Sequence, residues 1–259
     1  MNIENAYVSI DEPKCIGCGL CVKDCPANYL RLADGKAKTS NASCIKCGHC
    51  YSICPEAAVN LTSSEPHGER VVPMSTFDSE TFLQALKSRR SVRRFTDQPV
   101  EQEKLEKILE AGRYAPTAMD AQDVSYVLLG DRQRELEKKC VRALRLRQKI
   151  LAPFVKAVRN IEITDDFLFK GGPCVIVVVS KIRINAALAS GYMELMAETM
   201  GLGVLYCGFF VYCARSLRSV RKALQLRKRE RVVACLVVGY PAVKYLRIPP
   251  RKSLSFREL

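Results

Sequence analysis

The chain has 259 residues, 48% hydrophobic and 26% charged, with 41 Lys+Arg against 27 Asp+Glu and a formal net charge of +14. Those proportions belong to a globular protein of one or two domains and exclude a disordered, fibrous or small disulfide-stapled chain. The longest apolar stretches, Val175 to Val179 and Val232 to Val238, fall far short of the roughly 18 residues a membrane-spanning helix needs. Met1 to Ser9 has no basic stretch followed by an apolar run, the mark of a secretory signal, so the expectation is a cytoplasmic protein.

Cysteine is unevenly spread: of 13, eight lie between Cys15 and Cys54. In a reducing compartment such a cluster favours metal binding over disulfides. Charge divides in the same place, since residues 1 to 68 hold 6 Lys+Arg against 7 Asp+Glu and the remainder holds 35 against 20.

The cysteine-rich part is a duplicated unit. Cys15, Cys18, Cys21 and Cys25 recur, displaced by 29 residues, as Cys44, Cys47, Cys50 and Cys54, and Pro26 and Pro55 follow the last of each set. Short, partly apolar segments after each proline, Ala27 to Leu32 and Ala57 to Leu61, are expected to include strands. Three thiolates spaced by two residues can wrap one inorganic cube, while the proline turns the fourth elsewhere. Tetrahedral zinc takes paired C-x2-C knuckles and needs neither the third cysteine nor the proline. Residues 1 to 65 thus resemble a two-cluster 4Fe-4S ferredoxin domain. The resemblance implies Cys15, Cys18, Cys21 and Cys54 on one cluster and Cys44, Cys47, Cys50 and Cys25 on the other, an electron relay that needs an acceptor.

Residues 66 to 78 read as a polar, proline-containing linker. Asp78 or Ser79 then caps a helix carrying Phe82, Leu83 and Leu86, which runs into Arg89-Arg90-Ser91-Val92-Arg93-Arg94-Phe95. A second helix carries Leu105, Ile108 and Leu109 on one side, with Gly112 near its end, and a strand is expected from Val124 to Leu129. Four arginines within six residues are either a solvated, repulsive helix end or an anion site in which guanidinium forks and the Ser91 hydroxyl bind phosphate.

R-R-S-V-R-x-F, then Ala115-Pro116-Thr117 with Asp120 and Gln122, then a glycine-rich helix end at Gly201-Leu202-Gly203, and Gly239-Tyr240-Pro241 followed by basic residues, make an ordered set. By that set residues 79 to 259 resemble the nitroreductase family, and the whole chain resembles a ferredoxin-fused nitroreductase. The implied fold is α+β: a small duplicated two-cluster ferredoxin domain followed by a nitroreductase-like FMN-binding domain that forms an intertwined homodimer. The resemblance implies that Arg89, Arg90, Ser91 and Arg93 contact FMN, that Thr117, Asp120 and Gln122 reach the flavin of the neighbouring subunit, and that a backbone amide at Cys207-Gly208 lies near its N5 atom. Arg251 and Lys252 would complete the phosphate clamp, and the tail from Leu254 would lie across the partner. Asn185 to Met200 would be a central buried helix at the dimer seam. Asp120 and Asp123 stand where the family has asparagine and proline.

Cys140, Cys174, Cys207, Cys213 and Cys235 share no ligand spacing, and four of them read as small core residues. The runs Arg142 to Lys149 and Arg227 to Arg231 carry no interleaved aromatics, so nucleic-acid binding is not expected; they read as solvated faces or as a dock for an acidic electron donor. The functional expectation is an FMN-dependent oxidoreductase fed by two 4Fe-4S clusters that reduces an electron-poor small molecule, a nitroaromatic or quinone. Electrons would come from a ferredoxin-type donor or NAD(P)H. The alternative is an electron-transfer or redox-sensing carrier without turnover of its own, which Asp120 in place of the family asparagine keeps open.

Overall fold

The computed structural model describes residues 7–62, 71–76 and 78–258. The chain divides into two compact units, one running to Met74 and including Met119–Ala121, the other made of Ser75–Ala118 and Gln122 onward. Of the expected linker, residues 66–70 and 77 lie outside the described residues, and Met74–Thr76 form a single 3-10 turn.

The first unit shows the duplication in space. Strand β1 (Val8–Ile10) pairs antiparallel with β4 (Val59–Leu61), and β2 (Leu30–Ala33) with β3 (Lys36–Thr39). Two one-turn helices, α1 (Leu20–Lys23) and α2 (His49–Ser52), each carry the third cysteine of their set and each start from a left-handed glycine, Gly19 and Gly48. Val8, Leu30, Ala58 and Val59 are buried with Cys15 and Cys21 in one small core. The unit thus has little apolar interior besides its cysteines, as expected of a domain this small that leans on a metal centre.

The second unit is built on a four-stranded antiparallel sheet in the order β5 (Ser125–Leu128), β6 (Cys174–Ser180), β8 (Arg231–Gly239), β7 (Gly203–Tyr206). The two inner strands are the sequence's long apolar runs because both their faces are covered. Val175, Val177, Cys235 and Val237 point into a core with α5 (Gln133–Leu151), α8 (Gly208–Ser216) and α9 (Arg218–Ala223). Ile176, Val178, Ala234, Leu236 and Val238 point the other way, onto α4 (Gln102–Arg113) and α7 (Arg183–Thr199). The period-two alternation of strands thereby sorts one apolar run into two cores. The expected α+β class is the observed one.

Two helices carry apolar side chains that a single chain leaves exposed. Asp78 caps α3 (Ser79–Ser88) as anticipated, its carboxylate accepting from Thr81 N at 2.7 Å, but Phe82, Leu83 and Leu86 are all exposed. The central helix α7 buries Asn185, Ala189, Met193 and Ala197 on one face, while Ile184, Leu188 and Tyr192 on the other face are 58%, 40% and 44% exposed. Its sequence is apolar nearly all round, yet one chain covers only half of it.

Asp123 anchors the entry to α7. Its Oδ2 accepts from Ser180 Oγ (2.7 Å), Lys181 N (2.9 Å) and Ile182 N (3.1 Å), and its Oδ1 from Asn185 Nδ2 (2.7 Å). Asn185 in turn accepts from Ala118 N at 3.0 Å. Burial alone would raise the Asp123 carboxyl, but the hydrogen bonds from Asn185, Ser180, Ile182 and Lys181 outweigh it and hold it below the ordinary carboxylate range. A lowered native pKa contributes stability above the unfolded-state pKa and loses it as pH falls through the native value. Asp123→Ala should therefore cost about 1–3 kcal/mol in urea unfolding at neutral pH, with parent and variant converging on acidification. An equal gap at every pH would contradict this role.

Candidate functional site

The eight clustered cysteines sort crosswise. Cys15, Cys18, Cys21 and Cys54 line one small cavity, and Cys25, Cys44, Cys47 and Cys50 line a second. The fourth cysteine of each run thus sits with the three of the other. Equivalent backbone amides approach equivalent sulfurs: Tyr29 N donates to Cys25 Sγ at 3.2 Å and Ala58 N to Cys54 Sγ at 3.3 Å. Amides aimed at sulfur favour the thiolate. Burial pushes the bare Cys50 thiol up to about 11, and burial, with Cys54, Cys15 and Cys18 adding to it, raises Cys21. Four thiolates in such a cavity therefore call for a strongly cationic core. Among the described residues no three Cys, His, Asp or Glu side chains converge as a single ion would require. Three cysteines spaced by two residues in each run, with a fourth from the other run, suit a cube better than tetrahedral zinc. His49 also lines the second cavity, with its Nδ1 facing Asp24 Oδ2 at 3.2 Å.

In the second unit the arginine segment lies along the outer edge of β7. Ser91 bridges Val204, Val92 N donates to Val204 O at 3.0 Å, and further on Thr96 N donates to Tyr240 O at 2.9 Å. Gly203 makes this possible, because a Cβ there would fall 2.3 Å from Val92 Cγ2. The basic run is thereby fixed to the sheet and is not a loose helix end. Arg89 Nη1 donates to Glu194 Oε1 on α7 at 2.6 Å, with both side chains largely buried. Arg90 donates one nitrogen to Arg89 O, while its Nη2 is buried without a protein acceptor. An orphaned buried guanidinium N–H is what an absent anion would leave behind.

A cavity of about 720 Å³ opens beside this segment, with Arg93, Cys207 and Gly208 among its lining residues. That volume lies within the range of small-molecule and cofactor sites. Gly208 opens helix α8 at the cavity wall, and the Cys207 amide is committed to Cys235 O at 2.8 Å. The segment 164–170, which closes one side, hangs on Glu137: its buried Oε1 accepts from Leu168 N at 3.1 Å and Phe169 N at 2.8 Å. Burial raises the Glu137 carboxyl against the lowering effect of these two amides.

The remaining candidates lie elsewhere. Thr117 and Gln122 line a separate pocket and bond to each other, Gln122 N donating to Thr117 Oγ1 at 3.1 Å. Met119, Asp120 and Gln122 all have positive φ, an unusual run for residues other than glycine. Arg251 and Lys252 are exposed and lack regular structure. Cys140, Cys207, Cys213 and Cys235 are buried in the core and Cys174 is partly so.

Residues 86–240 match the model of the nitroreductase family, and residues 7–55 match that of the 4Fe-4S dicluster domain. The chain belongs to the nitroreductase family. It carries an N-terminal 4Fe-4S dicluster domain, and the membership makes it an oxidoreductase. A curated relative, "FMN reductase [NAD(P)H]" of Bacillus subtilis, is 28% identical over 191 residues, 68% of this chain and 73% of that protein. The fold is shared with a Bacteroides fragilis nitroreductase solved with bound FMN, at TM-score 0.57 and 21% identity over 68% of this chain and 97% of the other. It is likewise shared with iodotyrosine deiodinase bound to FMN and 3-iodo-L-tyrosine, at TM-score 0.54 and 26% identity, again over 68% and 97%.

Within this nitroreductase-family chain, sequence reading passed over Glu194, Glu137 and the anchoring role of Asp123, since each works through partners far away in sequence. It also passed over Arg147 and Lys170 as members of the cavity wall. Gly17 gives the dicluster domain its sharpest local requirement: φ is +70° and a Cβ would fall 2.0 Å from Gly35 O. Gly17→Ala should strip the cluster bounded by Cys15 and Cys18 and lower iron and sulfide per chain to roughly half. A full complement of both would contradict the assignment of that cavity.

Proposed function

We propose that the protein is an FMN-dependent oxidoreductase fed by two 4Fe-4S clusters in its own chain, reducing an electron-poor organic acceptor such as a nitroaromatic or a quinone. The observation that carries this reading is the crosswise gathering of the eight cysteines in a chain that also has a cavity of about 720 Å³ lined by Arg93, Cys207 and Gly208. FMN is bound by the B. fragilis relative, and the residues present suit it here. When bound, the clusters supply single electrons and FMN supplies paired electrons to the acceptor.

On this reading Cys15, Cys18, Cys21 and Cys54 hold one cluster, and Cys44, Cys47, Cys50 and Cys25 the other. Arg90 offers its free Nη2 to the FMN phosphate, with Ser91 and Arg93 beside it. Glu194 holds the Arg89 guanidinium by its 2.6 Å contact, which adds to the backbone bonds that fix the basic segment to β7. Gly208, at the start of α8, presents its amide to the flavin, since the Cys207 amide is already used. Thr117, Asp120 and Gln122 serve the flavin of a neighbouring subunit, and Arg251 and Lys252 complete the phosphate clamp. A homodimer is supported by the uncovered apolar faces of α3 and α7 and by the exposed Leu254 and Phe256. Electrons enter from a ferredoxin-type donor or from NAD(P)H, the donor named for the B. subtilis relative. Among the described residues no helix is long and apolar enough to cross a membrane, and a cytoplasmic setting suits the reduced thiols.

Anaerobically purified protein should contain two cubes and one FMN per chain. Cys18→Ser should lose its cluster and at least about tenfold in turnover with a ferredoxin-type donor while FMN stays bound. Unchanged turnover in that variant, or zinc in place of iron and sulfide, would overturn the route.

A further inference from the structure

We infer that the acceptor is anionic: a flat aromatic or quinonoid compound carrying a carboxylate or comparable acid, which Arg147 and Lys170 receive at the outer end of the cavity. The inference rests on the proposed function, in which the flavin occupies the Cys207–Gly208 end.

The cavity lies between α5, the 161–170 segment and the start of α8. Its walls are apolar and aromatic, from Leu144, Ile163, Phe167, Phe209 and Tyr212, and among the described residues its lining holds three cations and no carboxylate. Arg93 belongs to the flavin in the proposed function. Arg147 and Lys170 have no use there, yet both are held in place. Arg147 Nη1 donates to Ser216 Oγ at 2.9 Å, and its guanidinium lies over the Tyr212 ring, 4.9 Å from the centroid. The Lys170 ammonium lies 5.0 Å from the centroid of Phe167, which itself packs on Phe209 at 5.0 Å.

The nearby acids have their own hydrogen-bond or ion-pair partners and do not line the cavity, although Asp166 and Glu137 feel the Lys170 charge. Asp165 pairs with Arg145 at 2.9 Å, and Arg145 also clamps Ile163 O with two donors. Asp166 accepts from Thr164 Oγ1 at 2.6 Å; that bond foremost, with the Lys170 charge adding to it, holds its carboxyl low. The charges of this run therefore divide: Arg145 ties the segment down, while Arg147 and Lys170 face the cavity on aromatic rings. Ring faces orient a cation without neutralising it. Half-desolvated cations in an apolar cavity favour an anion strongly, give a neutral compound little and repel a cation.

The test uses anaerobically reduced holoprotein, reoxidised by para-nitrobenzoate or by the neutral para-nitrobenzamide. Two electrons and two protons convert each nitro group to nitroso with release of water. Each rate is divided by that of free reduced FMN with the same compound, which removes the intrinsic difference in reactivity. The carboxylate should win by at least about tenfold at low salt, and the advantage should shrink as ionic strength rises. Arg147→Gln and Lys170→Gln should each cut the advantage severalfold without lowering FMN per chain, and Arg147→Lys should keep most of it. Equal normalised rates in the parent, or an advantage that survives both glutamine variants, would overturn the inference alone. Loss of FMN from Arg147→Gln would do the same, because the cation would then belong to the flavin. A protein that holds no FMN, or reacts with neither compound, would overturn the proposed function and this inference together.

Discussion

Four thiolates drawn into one small apolar cavity repel one another, and burial makes Cys50 in one cavity and Cys21 in the other harder to ionise. Only a strongly cationic core turns that repulsion into the main cohesion of the unit. The first unit depends on this constraint, because its four short strands and two single-turn helices bury little else. The crosswise cysteine sets also tie the two halves of the duplication together, so neither cavity can form from one repeat alone.

The second unit meets the opposite problem, an excess of positive charge, by giving individual arginines specific work. Arg89 is matched by Glu194, Arg145 by Asp165 and by Ile163 O, and Arg147 by a ring face and a hydroxyl. Arg90 is left with a buried nitrogen unmatched by protein, three residues before Arg93 of the cavity wall. A surface that is basic in bulk thus resolves into tethers, one buried guanidinium nitrogen without a protein acceptor, and two cavity cations. The expectation that Arg142 to Lys149 is merely a solvated face is too plain for Arg145 and Arg147.

What could be read from the chain alone follows the range of the interactions involved. The crosswise gathering of the eight cysteines was legible in their short, repeated spacing, and the long strands because double burial writes a continuous apolar run. Asp123 was opaque: its partners stand at Ser180 to Asn185, and its meaning depends on a turn that periodicity does not reveal. The Arg89–Glu194 pair spans 105 positions and was equally hidden. The faces of α3 and α7 were legible as apolar, but a single chain does not cover them, so pattern gave their chemistry and not their neighbour.

The account stands on electrons passing from the paired clusters to a flavin in the same polypeptide. The most direct measurement is an anaerobic rapid-mixing experiment in which the clusters of the oxidised holoprotein are reduced and the visible bands of iron–sulfur and flavin are followed separately. The account predicts that flavin absorbance bleaches after cluster reduction, at a rate independent of protein concentration. A flavin that stays oxidised while both clusters are fully reduced would contradict it.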